Sequence, residues 1–151
     1  SGKGLRMTIK IGDKLPAGTL TEATHFDEAA GCPMNPEEVG VLAACRGKRI
    51  VVFGLPGAYT PTCSAKHLPG YLAQHAALKA QGVDGRVRML GDGNAAWTRA
   101  LGLELDRSAS GMGLRMQRFS MLVEDGVVKR LNIEAPGKFV VSDAETMLQA
   151  L

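Results

Sequence analysis

The run Ile50-Val51-Val52-Phe53 is apolar without any polar alternation. A half-solvated strand alternates, so a run of this kind reads as a strand buried on both faces, with layers above and below it. It leads into Pro56-Gly57-Ala58-Tyr59-Thr60-Pro61-Thr62-Cys63, and a helix-compatible stretch follows. Thr60 suits an N-cap and Pro61 a first helical residue. Cys63 then falls in the first turn, among N–H groups that lack an intrahelical partner, at the positive end of the helix dipole. Both favour a thiolate, and the thiolate is the nucleophile. The Thr60 hydroxyl is suited to cap the helix, to donate to the sulfur or to orient a substrate. Pro56 and Gly57 fix a turn above the sulfur and let backbone approach closely. From local chemistry alone, a buried cysteine in a helix that starts with Thr-Pro stays open as the alternative.

Around this segment the chain alternates strand and helix signals. Thr19–Thr24 alternates weakly, as a strand does. Gly31-Cys32-Pro33-Met34-Asn35-Pro36 reads as a turn, with Asn35 capping a helix through Pro36, Glu37 and Glu38 to Ala44. A helix is expected from Pro61 to Ala80, bent or broken at Pro69 and ended by Gly82. Arg86–Leu90 reads as a short strand, and Asn94 as the cap of a helix from Ala95 to Leu101. Phe119–Val123 and Val127–Ile133 flank Asp125-Gly126, a hairpin signal. Ser142 reads as the cap of a last helix, Asp143 to Leu151. The order implies an α/β sandwich with a mixed sheet. Residues 1–6 are expected as a flexible leader, with Ser1-Gly2 a cloning remnant and Met7 the natural start, and residues 7–151 as a single domain.

The whole chain narrows the function classes. Its 151 residues suit one domain with a real core. No apolar run approaches the ~18 residues of a membrane span, and the start lacks a signal-peptide pattern. A net charge of +3 is mild, and Arg46-Gly47-Lys48-Arg49 reads as a solvated turn and not as a nucleic-acid patch. Cys32, Cys45 and Cys63 are an odd, widely spaced set, which points to the cytoplasm or another reducing compartment. There is no C-x-x-C and no H-E-x-x-H, so neither a dithiol exchange centre nor zinc is indicated.

The residues Pro56-x-x-x-Thr60-x-x-Cys63 resemble the active-site pattern of the peroxiredoxins, in the wording of the peroxiredoxin 5 subfamily. Lys66–Tyr71, Arg86–Asn94 and Gly111–Met121 agree as well, so the likeness covers most of Thr8 to Leu151. The resemblance implies a thioredoxin-like fold, a mixed central sheet flanked by helices, and thiol peroxidase activity on hydrogen peroxide and alkyl hydroperoxides. Cys63 would be the peroxidatic cysteine and would pass through a sulfenic acid. Thr60 would hydrogen-bond the sulfur and the peroxide, Arg118 would face the thiolate from a strand start, and Pro56 would shield the site. No cofactor is implied, and a homodimer with Tyr59 at its contact is.

Two departures from the family pattern matter. Members that form an internal disulfide carry a resolving cysteine near the C-terminal helix, and Val140–Glu145 has none. That implies a one-cysteine cycle with glutathione or glutaredoxin as reductant. Cys45 reads as a small core residue; Cys32, in its turn, is the substitute resolver to test. The second departure follows Val83-Asp84, where the family has a further strand and helix and this chain passes to Gly85. A break between Asp84 and Gly85 is the expectation, because loss of a central strand would leave backbone groups and apolar faces uncovered.

Two readings of other classes stand beside the peroxidase. Cys63 and His67 lie four apart and would share a helix face, as a cysteine hydrolase would use them. A catalytically impaired thioredoxin-fold interaction protein is the other, made credible by the missing unit.

Overall fold

The computed structural model describes residues 8–27, 32–55, 68–83, 90–92, 95–111, 113–135 and 138–151. The apolar run forms β3 (Arg49–Gly54), which pairs antiparallel with β7 (Phe119–Glu124); β7 pairs in turn with β8 (Val127–Ile133). Both faces of this sheet are covered, as the lack of polar alternation required. Ile50 and Val52 pack on one core with Phe119, Met121, Val123, Trp97 and Leu101. Val51 and Phe53, on the opposite face, pack on Tyr71, Leu78, Leu122 and Met147. The β3 side chains are half-buried, so each contributes less than the roughly 1.5–3 kcal/mol of full burial, and β3 is held by side chains from both layers.

The β7–β8 turn follows from its sequence. Asp125 and Gly126 both take positive φ, 48° and 79°, which is the backbone a two-residue hairpin requires. Asp125 also ties the hairpin to the turn before β3: its carboxylate accepts from Gly47 N–H at 2.6 Å, and its own N–H donates to the Lys48 carbonyl at 2.9 Å. Segment 12–15 runs along β8, with Gly12 N–H donating to the Val128 carbonyl and Val128 N–H to the Asp13 carbonyl.

A second sheet has the order β2 (Cys32–Gly40), β1 (Thr19–Asp27), β4 (Leu90–Gly91). Here the structure differs from the sequence reading. Cys32–Pro36 is not a turn, and no helix starts at Pro36; the helix there is α1 (Val41–Cys45). Strand β1 runs to Asp27 and gives residues 32–40 a partner, Phe26 opposite Pro33 and Ala23 opposite Pro36. Strand β2 lies at the edge of the described sheet, where prolines are tolerated; Pro33 and Pro36 are three apart, so one of them stands where an N–H would face β1.

Helices α2 (Leu68–Ala73) and α3 (His75–Ala80) follow. Pro69 lies within α2, and the described interruption falls later, at Gln74 (φ −97°, ψ 8°). Gly82, at φ 84°, ends the pair as expected, with its N–H on the Lys79 carbonyl and Val83 N–H on that of Leu78. Leu90–Gly91 pairs with β1 and not with β3, and among the described residues β3 pairs with β7 alone. Residues 84–89, and with them most of the expected strand Arg86–Leu90, lie outside the described residues.

Helix α4 (Ala96–Leu101) is capped from further back than Asn94, which is not among the described residues. The Asp92 carboxylate accepts from Thr98 N–H at 2.7 Å, Thr98 Oγ1 at 2.8 Å and Trp97 N–H at 3.3 Å. The hairpin of β5 (Glu104–Arg107) and β6 (Gly113–Met116) has no counterpart in the sequence reading. The chain closes with α5 (Ala144–Ala150). No helix of the described residues is long and apolar enough to cross a membrane.

Candidate active site

Strand β3 delivers the chain to Leu55, from which it enters Pro56–Cys63. Pro56, Thr60, Cys63 and His67 lie outside the described residues, as does Tyr59. What the structure does describe is the ground around them. Phe119 at the start of β7 pairs with Gly54 at the end of β3. Arg118 therefore precedes β7 at the same end of the sheet at which β3 hands over to the cysteine segment.

Arg118 is buried, with 9% of its surface exposed, and its guanidinium carbon lies 5.7 Å from the centre of the Phe139 ring. A surface arginine between Gln117 and Phe119 is thus not what the fold makes of it. The ring face attracts the cation, and removal from water strengthens the field that the charge exerts on any anion beside it. The Arg118 carbonyl accepts from Glu134 N–H at 2.9 Å, which extends the β7–β8 ladder one pair past Phe119 and Ile133.

Glu134 is a residue that the sequence reading passed over. It is 3% exposed, and its Oε2 accepts four hydrogen bonds at 2.8 Å, from the N–H groups of Val140, Val141 and Ser142 and from the Ser142 hydroxyl. Burial alone would push this carboxyl up; the bonds from Ser142, Val141 and Val140 outweigh it and hold the carboxyl below its ordinary value. Ser142 is consequently not the helix cap. That role falls to Asp143, whose carboxylate accepts from Thr146 N–H at 3.2 Å.

Tyr71 ties the same loop to the helix that follows the cysteine segment. It is 1% exposed, stacks on Phe53 with ring centres 4.2 Å apart and planes 2° from parallel, and donates its hydroxyl to the Ser142 carbonyl at 2.8 Å. Burial, before any other cause, holds its phenol well above the ordinary range. The sequence offered one signal for it, its place in Lys66–Tyr71, but no role.

Cys45 sits in the core at 3% exposure, and burial pushes its thiol up. It is inert by position, as the sequence suggested. Cys32 opens β2 and does not lie in a turn. Trp97 packs in the core and donates Nε1–H to the Pro16 carbonyl at 3.1 Å. Among the described residues no three His, Cys, Asp or Glu side chains gather as metal ligands would.

Comparison with known proteins bears on the whole chain. The family model that matches is Redoxin, over residues 10–87 and 84–148. A rice protein, the chloroplastic peroxiredoxin-2E-2, is 42% identical over 170 positions that take in 95% of this chain and 73% of the relative. A Burkholderia cenocepacia crystal structure assigned as a thioredoxin reductase superimposes with a TM-score of 0.88 and 44% identity, over 96% of this chain and 99% of that one. Reduced Prx3 of Vibrio vulnificus in complex with hydrogen peroxide does so with a TM-score of 0.84 and 41% identity, over 95% of this chain and 99% of that one. These likenesses establish the thioredoxin-like peroxiredoxin fold.

The expected break between Asp84 and Gly85 lies outside the described residues, and the comparisons bear on the missing segment alone. Asp84 and Gly85 are consecutive in the chain, and the Redoxin match comes in two pieces that meet at 84–87. The rice alignment needs 170 positions to take in 95% of 151 residues, so the relative carries residues with no counterpart here. The sequence thus lacks a segment that its relative carries, and the two Redoxin pieces place the gap near residues 84–87. With the cysteine motif, the buried Arg118 and a match along nearly its full length, the chain belongs to the peroxiredoxin family.

Proposed function

We propose that this chain reduces hydrogen peroxide and alkyl hydroperoxides through Cys63, with Thr60, Arg118 and Pro56 completing the site. The Cys63 thiolate attacks one peroxide oxygen; an S–O bond forms and the O–O bond breaks. The displaced hydroxide or alkoxide takes up a proton, and the sulfur is left as a sulfenic acid. Charge moves from sulfur to oxygen, and Arg118, the Thr60 hydroxyl and the N–H groups at the helix start stabilise both ends of that change. Pro56 shields the sulfur from water.

The observation that carries this reading is the buried Arg118, held against Phe139 at the end of the sheet where β3 passes into the cysteine segment. The Vibrio vulnificus relative was crystallised with hydrogen peroxide, which supports the substrate. The peroxiredoxin relatives favour neither the hydrolase pairing of Cys63 with His67 nor the impaired interaction protein, whose one support is the segment missing near 84–87.

The cycle proposed is of the one-cysteine type, as in the peroxiredoxin 5-like members without a C-terminal resolving thiol. A first external thiol displaces water from the sulfenic acid to form a mixed disulfide. A second releases the Cys63 thiol and leaves with the first as a disulfide. Glutathione, or glutaredoxin with it, supplies these thiols, with no bound cofactor. The protein acts as a homodimer in the cytoplasm or another reducing compartment.

Peroxide consumption by the reduced protein with glutathione and glutaredoxin tests the assignment. Cys63→Ser should abolish it, and Thr60→Val and Arg118→Ala should slow the peroxide step while the fold is kept. Turnover of esters or amides without peroxide consumption would instead establish the hydrolase, and neither activity the interaction protein.

A further inference from the structure

We propose that Glu134 is a positioning residue for Arg118, acting through the loop that carries Phe139. The proposal rests on the reading of Arg118 as the partner of the Cys63 thiolate. Glu134 is joined to Arg118 from two sides. Its backbone N–H donates to the Arg118 carbonyl at 2.9 Å, which fixes the main chain of the arginine. Its side chain gathers three successive N–H groups, from Val140, Val141 and Ser142, onto one oxygen at 2.8 Å each. Successive N–H groups that converge in this way form a concavity for an anion, and here the anion is the carboxylate itself. Phe139 immediately precedes the gathered residues, and its ring lies 5.7 Å from the Arg118 guanidinium carbon.

One residue thus meets Arg118 twice: its main chain bonds the arginine's carbonyl, and its carboxylate orders the loop whose ring faces the cation. Glu134 is almost wholly buried, so the charge that orders the loop acts without the screening of water. The Ser142 hydroxyl adds a fourth bond, and the Ser142 carbonyl takes the Tyr71 hydroxyl, so the loop also reaches α2, the first described element after Cys63. Glutamine at position 134 keeps the size and one acceptor oxygen but removes the charge. The loop then loses its grip and the ring shifts against the guanidinium, which keeps its other interactions.

The test reads Cys63 itself. Alkylation of Cys63 against pH and the single-turnover rate with hydrogen peroxide are measured in the wild type, Glu134→Gln, Arg118→Ala and the double variant. The expected result for Glu134→Gln is a thiol titration shifted upward toward that of a free cysteine and a peroxide rate lower by roughly tenfold, since small misplacements of a reacting group's partner cost factors of this order. In the Arg118→Ala background the same change should cost less than about twofold, because residues that act as one unit do not add. An unchanged profile in Glu134→Gln, or an equal loss with and without Arg118, would overturn the proposal. If Arg118→Ala leaves profile and rate as they were, it is the assignment of Arg118 that fails, and the positioning role with it. Should Glu134→Gln not fold, Phe139→Leu keeps an apolar side chain and removes the ring face. It should shift the Cys63 profile in the same direction, and an unshifted profile in that folded variant overturns the proposal.

Discussion

Ser142 donates both its backbone N–H and its hydroxyl to Glu134 Oε2, each at 2.8 Å. The serine is fully buried, and its carbonyl accepts the Tyr71 hydroxyl. Every polar group of this residue is thus spent on joining the end of β8, the loop before α5 and the helix that follows the cysteine segment.

Removal of that hydroxyl has a calculable effect. Ser142→Ala takes away one hydrogen bond to a charged acceptor and keeps the backbone bond. Chemical denaturation should show a loss of about 1.5–3 kcal/mol, with an unchanged slope against denaturant. A loss below a few tenths would mean that the hydroxyl does not bear on the Glu134 carboxylate.

The stability that Glu134 contributes depends on pH with a fixed sign. Its carboxyl is held below the ordinary value of 4.5 in the folded chain, with burial opposing and the bonds from Ser142, Val141 and Val140 prevailing. The contribution is therefore fully present above 4.5 and is lost as pH falls through the lower folded value. Thermal unfolding at about pH 7 should separate the wild type from Glu134→Gln, and at about pH 3 the gap should narrow. A gap of constant width would contradict the sign.

Gly54 ends β3 against Phe119, with no room for a methyl group. A Cβ there would run into the Phe119 ring and lie 2.7 Å from Met116 Sδ. Gly54→Ala should destabilise the chain by about 1–3 kcal/mol and slow the peroxide step, because the residue stands two positions before Pro56. Denaturation midpoints and single-turnover rates check the two effects independently.

Cys45 should be dispensable for chemistry. It is buried, with its thiol pushed up by burial. Cys45→Ala should cost about 1 kcal/mol, and the double change with Cys32→Ser should keep turnover with glutathione and glutaredoxin. A double variant that reacts once with peroxide and then stalls would reveal an internal resolving thiol and refute the one-cysteine cycle.

Strand β3 was legible because its neighbours on both faces are apolar and no solvent pattern competes. The Asp125-Gly126 turn was legible because its backbone demands positive φ from residues suited to it. Strand β2 was not, since Pro33 and Pro36 look like turn residues until β1 is known to leave them on an edge. The β5–β6 hairpin was missed because Glu104-Leu105-Asp106-Arg107 is polar and carries no β-branched residue. Ser142 and Asp143 are adjacent and either could cap α5; the choice was made by Glu134, eight residues back, and no local rule reaches that far. Glu134 itself carries no local signal, because its partners come from residues 140–142. The peroxiredoxin family was legible from Pro56-x-x-x-Thr60-x-x-Cys63, whereas the contact of Arg118 with Phe139 is a tertiary arrangement.

The central claim is that Cys63 is the peroxide-reactive thiol of this shortened peroxiredoxin. It is tested most directly by mass spectrometry of each cysteine after reaction of the reduced protein with one equivalent of hydrogen peroxide, with a sulfenic-acid trap present. The account predicts a trapped sulfenic acid on Cys63, with Cys45 and Cys32 unmodified. An unmodified Cys63, with oxidation on Cys32 or on no cysteine at all, would contradict it.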